Sequence, residues 1–224
     1  MKHKNLFLLT FLSIMPCVLH ALTLNTQFTY YAFTSTLKVV LFTLAPAAYF
    51  AVSRDAGFKE ILAKGDRKNV RLSFALGFIV FTFIMAAFFV LRPYIDREMI
   101  VTAFAKNGIT DGNFPIVFIY VVLINAALEE FFFRGFIFMT LHRMNFKKYA
   151  HAHSSLMFAF YHVAILNNAV SPGVFVLFIA GLAAAGLIFN YLVTKCKNIS
   201  GSLIVHISAN MAINIIVSAF YFYT

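Results

Sequence analysis

Two adjacent carboxylates, Glu129 and Glu130, stand inside an apolar run from about Pro115 to Leu141. Of the eight acidic residues in the chain, only these two lie within an apolar segment. About 20 such residues cross a bilayer, and a charge at its centre costs roughly 2.5 kcal/mol or more on insertion scales. Carboxylates kept at that cost have a task there. Helix geometry separates the two. Glu130 and Arg134 are four apart, so they share a face with the acid in the better, N-terminal position. Glu129 is turned by about 100° from Glu130. Its own neighbour four residues on is Phe133, so the motif offers it no cation. The bland alternative is a structural polar knot, and further polar residues downstream weigh against it.

A short basic connector, His142 to Lys148, leads to the next apolar run, about Tyr149 to Leu166. Glu129 lies 16 positions before Asn145 and His162 lies 17 after it. In an antiparallel hairpin both helices rise about 1.5 Å per residue, so the two side chains reach a similar depth and can meet. The last run, about Ile199 to Tyr221, carries His206 and Asn210 four apart on one face, with Ser202 and Asn214 extending the stripe. Such stripes often only tie membrane helices together, which suffices for Ser202 and Asn214. Asn125, one turn before Glu129, is a supporting or packing residue.

One carboxylate, two histidines and an amide allow two chemistries. In one, Glu129, His162 and His206 bind a zinc ion that keeps an open position for water. In the other no metal is needed: Glu129, helped by His162, takes a proton from water, and His206 and Asn210 donate to the developing oxyanion. The second is preferred because it gives Asn210, a poor zinc ligand, a task.

The elements that must position these groups follow from composition. Hydrophobic residues make up 62% of the 224, charged residues 12%, and mean hydropathy is +0.85. A water-soluble domain of this apolarity would expose aggregating patches. The expectation is an all-α, polytopic transmembrane bundle of about seven helices, in one domain over residues 1–224. Its runs are Asn5–Leu24, Ala32–Val52, Leu72–Leu91, Pro115–Leu141, Tyr149–Leu166, Val174–Thr194 and Ile199–Tyr221. The first resembles a signal peptide in its basic start and Ala21, but its length favours a retained helix. Lys38, near the start of the second run, is expected to snorkel to the interface. Ser53–Arg71 is polar with six basic residues, Arg92–Asn113 is a mixed-charge loop with a turn at Asp111-Gly112, and Asn167–Gly173 is an uncharged turn. Gly181, Ala183, Ala184, Ala185 and Gly186 suit close helix approach. Cys17 and Cys196 fit no metal or disulfide spacing.

The net charge of +10 has no aromatic-basic interleaving beside it, so nucleic acid is not the partner. With the N-terminus in the cytosol and seven crossings, 13 basic residues fall inside, 3 outside, and Lys38 and Arg134 within helices. The positive-inside rule favours that orientation. The expected partners are membrane lipid and a membrane-associated protein or peptide.

Glu129-Glu130-x-x-x-Arg134, Phe158-x-x-x-His162 and His206-x-x-x-Asn210, in that order on successive apolar helices, resemble the CPBP family of CAAX prenyl proteases and bacteriocin-processing enzymes, also called the Abi family. The resemblance covers about Pro115 to Tyr221. It implies an intramembrane endopeptidase, annotated first as a metalloprotease and later argued to be of the glutamate type. It implies Glu129 as the catalytic glutamate, His162 as its partner, His206 and Asn210 as the oxyanion pair, and structural roles for Glu130, Arg134 and Phe158. The chain is similar to the short bacterial members, so an inner-membrane location is expected. A non-catalytic immunity protein that binds a toxic peptide or its receptor is the alternative. A small transporter is disfavoured because the ionisable groups cluster at one level rather than lining a path.

Overall fold

Every long apolar run forms a helix. The structure, a computed structural model, describes residues 2–24, 30–63, 65–166 and 172–222. Helices α1 (Lys2–Leu24), α2 (Tyr31–Ser53), α4 (Arg67–Leu91), α6 (Phe114–Arg143), α7 (Lys147–Leu166), α8 (Pro172–Cys196) and α9 (Ser200–Phe222) form the bundle, with short α3 (Phe58–Ile61) and α5 (Arg97–Lys106) at its ends. There is no strand among the described residues. The chain is a polytopic helical membrane bundle.

Six helices are long and apolar enough to cross a membrane among the described residues: α1, α2, α4, α6, α8 and α9. The seventh, α7, has 20 residues, about 30 Å of helix, but carries His151, His153, Ser154 and Ser155. One face of it is covered by protein, while Leu156 and Phe160 on another are exposed. It packs against α1, α6 and α8. Ser154 donates to the Phe133 carbonyl at 2.9 Å, and Asn190 of α8 donates to Ser155 Oγ at 3.1 Å.

Local sequence sets the ends. Asp66 caps α4 by accepting from the Asn69 N–H at 3.0 Å, one of the donors a helix start leaves orphaned. Pro115 sits in the first turn of α6, where its missing N–H costs nothing. Asn145, at φ 66°, turns the chain between α6 and α7, a left-handed position asparagine tolerates. The loop expected at Arg92–Asn113 contains α5, whose first turn begins as Ile100 N–H bonds the Asp96 carbonyl. Residues 167–171 of the expected Asn167–Gly173 turn lie outside the described residues, and α8 begins at Pro172.

α6 is the central element, touching α2, α7, α8 and α9, while α4 packs along α9, and α1 along α2 and α7. Of the small-residue stripe, Gly186 makes the close approach: a Cβ there would lie 2.9 Å from the Ser155 Cα of α7, whereas Gly181 faces open space. The core fills the half of the bundle towards the Asn145 turn. Phe42 stacks on Phe132 with centroids 4.0 Å apart, and Tyr49 meets Phe136 at 5.5 Å. In that half α6 is buried from Phe132 to Leu141. In the other half Ile116, Ile119 and Ile124 are exposed. Glu129 lies where the two halves meet. The first run packs as α1, with Leu9 buried and the Ser13 hydroxyl 2.9 Å from His153 Nε2.

Candidate active site

α6 is not a uniform α-helix. Tyr120–Asn125 and Glu130–Met139 are wound as π-helix, with the single α-turn Ala126–Glu129 between them. Such wide turns gather at functional sites because they re-aim side chains. Here they flank Glu129.

Glu129 and Glu130 are both buried, and each meets a different set of partners. Glu130 Oε1 is 3.3 Å from Arg134 Nη1, as the four-residue spacing predicts. The same oxygen lies 2.9 Å from His206 Nδ1. The guanidinium of Arg134 is clasped by two rings, with its Cζ 4.2 Å from the Phe158 centroid and 4.8 Å from that of Phe189. Such cation–π contact offsets part of the cost of burying the charge.

Glu129 is held asymmetrically. Its Oε1 accepts from Lys38 Nζ at 2.5 Å and from Asn125 Nδ2 at 3.0 Å. Lys38 also donates to Asn125 Oδ1. The other oxygen, Oε2, has no hydrogen-bond partner among the described residues. It faces His206 Nε2 at 3.5 Å and His162 Nε2 at 4.0 Å. Hairpin counting about Asn145 therefore brings Glu129 and His162 together, and α9 brings His206 to the same oxygen.

The other ring nitrogens fix what these two can do. His162 Nδ1 lies 2.7 Å from the Phe158 carbonyl. A carbonyl only accepts, so Nδ1 carries the hydrogen and the neutral ring presents its Nε2 lone pair to Glu129. Phe158 thus orients His162 through its backbone, while its ring packs on His162 at 4.7 Å and on His206 at 5.6 Å. His206 stands between two carboxylates, one at each nitrogen.

Asn210 is one turn along α9 from His206, and its Nδ2 donates to the Val121 carbonyl at 3.0 Å. That carbonyl belongs to the first π-segment. Asn214 Nδ2 donates to the Asn210 carbonyl at 2.8 Å, and Ser202 Oγ to the Ile199 carbonyl at 3.0 Å. Both side chains serve their own helix.

Lys38 corrects two expectations. It does not snorkel to the interface: it is 4% exposed. Glu129 does have a cation, supplied by α2 rather than by its own motif. The signal in the sequence was a lone lysine seven residues into an apolar helix, whose long stem can reach inward to a carboxylate as well as outward to water.

Glu129, His162 and His206 carry the donor types of a zinc site. Among the described residues, however, no three His, Cys, Asp or Glu groups are placed to hold a metal ion. The Lys38 ammonium already occupies Glu129 and would face a metal as a like charge.

Comparison with known proteins adds one finding. Residues 111–212 match the family described as type II CAAX prenyl endopeptidase Rce1-like. No curated protein and no solved structure matches the chain. The matched segment contains Glu129, Glu130, Arg134, Phe158, His162, His206 and Asn210, and leaves out Lys38. That match lies over the segment that builds the site, and it supports a likeness of this segment to the CPBP family of CAAX-type intramembrane proteases.

Proposed function

We propose that the chain is an intramembrane endopeptidase in which Glu129 and His162 activate a water molecule for attack on a peptide bond. The observation that carries this reading is the bare Oε2 of Glu129, 4.0 Å from the lone-pair nitrogen of His162. Two acceptors at that separation suit one water that donates a hydrogen to each, at about 2.8 Å apiece. The water oxygen attacks the carbonyl carbon while its proton passes to Glu129. The carbonyl π electrons move to oxygen. His206, whose Nδ1 lies 2.9 Å from Glu130 Oε1, gives a hydrogen bond from its other ring nitrogen to that oxyanion. Asn210, anchored on Val121 by one amide hydrogen, gives its second. Collapse of the intermediate breaks the C–N bond, and the proton held by Glu129 goes to the leaving amine. No metal takes part in this scheme.

The substrate is a membrane-associated protein or peptide, drawn to Glu129 along the face of α6 on which Ile116, Ile119 and Ile124 are exposed. The protein sits in the bacterial cell membrane with its N-terminus in the cytosol. The test is a comparison of protein termini in membranes from cells with the wild-type chain and with Glu129→Ala. One or more membrane proteins should keep an uncleaved end only in the variant. Identical termini in both would end the protease reading.

A further inference from the structure

We infer that Lys38 is a positioning residue of the hydrolytic site: with Asn125 it ties down one oxygen of Glu129 so that the other faces the histidines. This rests on the protease reading and adds to it a residue from α2, outside the family-matched segment 111–212.

The geometry makes the point. A carboxylate on a flexible stem presents its two oxygens interchangeably unless something distinguishes them. Here both donors, Lys38 Nζ and Asn125 Nδ2, converge on Oε1. Neither histidine reaches Oε1; both face Oε2. Lys38 and Asn125 are themselves linked through Oδ1, so lysine, amide and carboxylate form a closed triangle. A general base must be held within a fraction of an ångström of its working position, and the triangle does that for Glu129.

The remaining neighbours of Lys38 leave it no other task. Its ammonium lies 4.7 Å from the centroid of Tyr161 on α7 and 5.5 Å from that of Phe42. On the α1 side the titratable groups are Cys17 and His20, both buried and neither a carboxylate. Glu129 is the carboxylate that Lys38 pairs with among the described residues.

A merely charge-balancing lysine makes a different prediction from a positioning one. Arginine keeps the charge, but its planar fork is not interchangeable with a point ammonium and cannot reproduce the triangle. The experiment uses the full chain in lipid nanodiscs and a quenched-fluorescent, farnesylated CAAX peptide, beside whatever substrate the comparison of termini identifies. Lys38→Met is expected to lower kcat about 100-fold with KM changed by less than about threefold, the pattern of a group that acts in the transition state. Lys38→Arg is expected to melt like the wild type yet stay at least about tenfold down in kcat. Asn125→Ala should lower kcat in the same direction. The double variant Lys38→Met/Glu129→Gln should melt higher than Lys38→Met alone, because the unpaired carboxylate is gone. Wild-type kcat in Lys38→Arg, or additive melting shifts in the double variant, overturns the role of Lys38 while the enzyme remains a protease. A wild type that cleaves nothing, with no termini changed, ends the protease reading and this role with it. Should Lys38→Met fail to fold, Lys38→Arg and Asn125→Ala still decide.

Discussion

Glu129 and Glu130 are neighbours in sequence with opposite environments. Glu130 has Arg134 and His206 on one oxygen and serves to hold them. Glu129 keeps Oε2 bare towards two imidazoles. Glu129→Gln and His162→Ala should each abolish cleavage while the protein still inserts, since losing one member of a coupled base costs orders of magnitude in rate. Near-normal turnover by Glu129→Gln would remove it from the base role. Asn210→Ala should lower kcat by about 10²–10³, as loss of an oxyanion donor does, and exhaustive chelation should leave activity intact. Stoichiometric zinc in active enzyme, with a nearly active Asn210→Ala, would replace this chemistry with the metal one. The Glu130–Arg134 and Glu129–His162 contacts were legible from spacing, because one follows from a helical turn and the other from equal distances about Asn145. Lys38–Glu129 was not. It joins residues 91 positions apart in sequence, where no hairpin count applies, and the side chain supplies several ångströms of reach.

At the scale of the helix, α6 departs from what a run of apolar residues specifies. Its π-wound segments leave Val121 with a carbonyl that takes up Asn210. They also leave Glu130 aimed at α9 as well as at its own fourth neighbour. Hydropathy patterning locates such a helix but says nothing of its winding, because an apolar run is compatible with either. The two short helices were missed for a related reason: α3, a single turn of four residues, and α5, ten residues, lie inside segments whose charge reads as loop. Two stability predictions belong here. Glu130→Ala and Arg134→Ala each strand a buried charge and should cost roughly 3–5 kcal/mol, seen as lower folded yield and melting temperature. Normal melting in both would mean that the pair contributes nothing. At Gly135 a Cβ would stand 2.6 Å from Ile61 Cγ2, so α3 is seated directly on α6. Gly135→Val should destabilise by about 1–3 kcal/mol through overpacking, and adding Ile61→Ala should recover most of it. No recovery would show that α3 is not what the valine meets.

Taken as a whole, the molecule has two unlike ends. At one, α2 and α4 are joined through α3, and Arg143 reaches Asp55 at 3.2 Å and Glu60 at 3.5 Å. The Asn198 amide donates to the Ala63 carbonyl at 2.5 Å, tying the α8–α9 turn to the same end. At the other end the start of α2 is bonded to the close of α5, Tyr31 N–H to the Asn107 carbonyl at 2.9 Å. The basic residues divide unevenly between these ends, 13 against 3 on the seven-crossing reading. Loops rich in lysine and arginine stay on the cytosolic side during insertion. The α3 end is therefore expected in the cytosol and the α5 end across the membrane. Both native cysteines are buried, so single new ones can be read by a membrane-impermeant maleimide. Thr110→Cys, exposed at the α5 end, should label in intact cells. Lys59→Cys, exposed on α3, should label only after the membrane is opened. The reverse pattern would invert the bundle, and with it the side of the membrane towards which exposed Ile116, Ile119 and Ile124 of α6 lie. Labelling of both sites in intact cells would mean that an odd number of crossings between them is wrong, with α4 the segment to doubt, since α2, α6 and α7 are fixed to one another by the buried site itself.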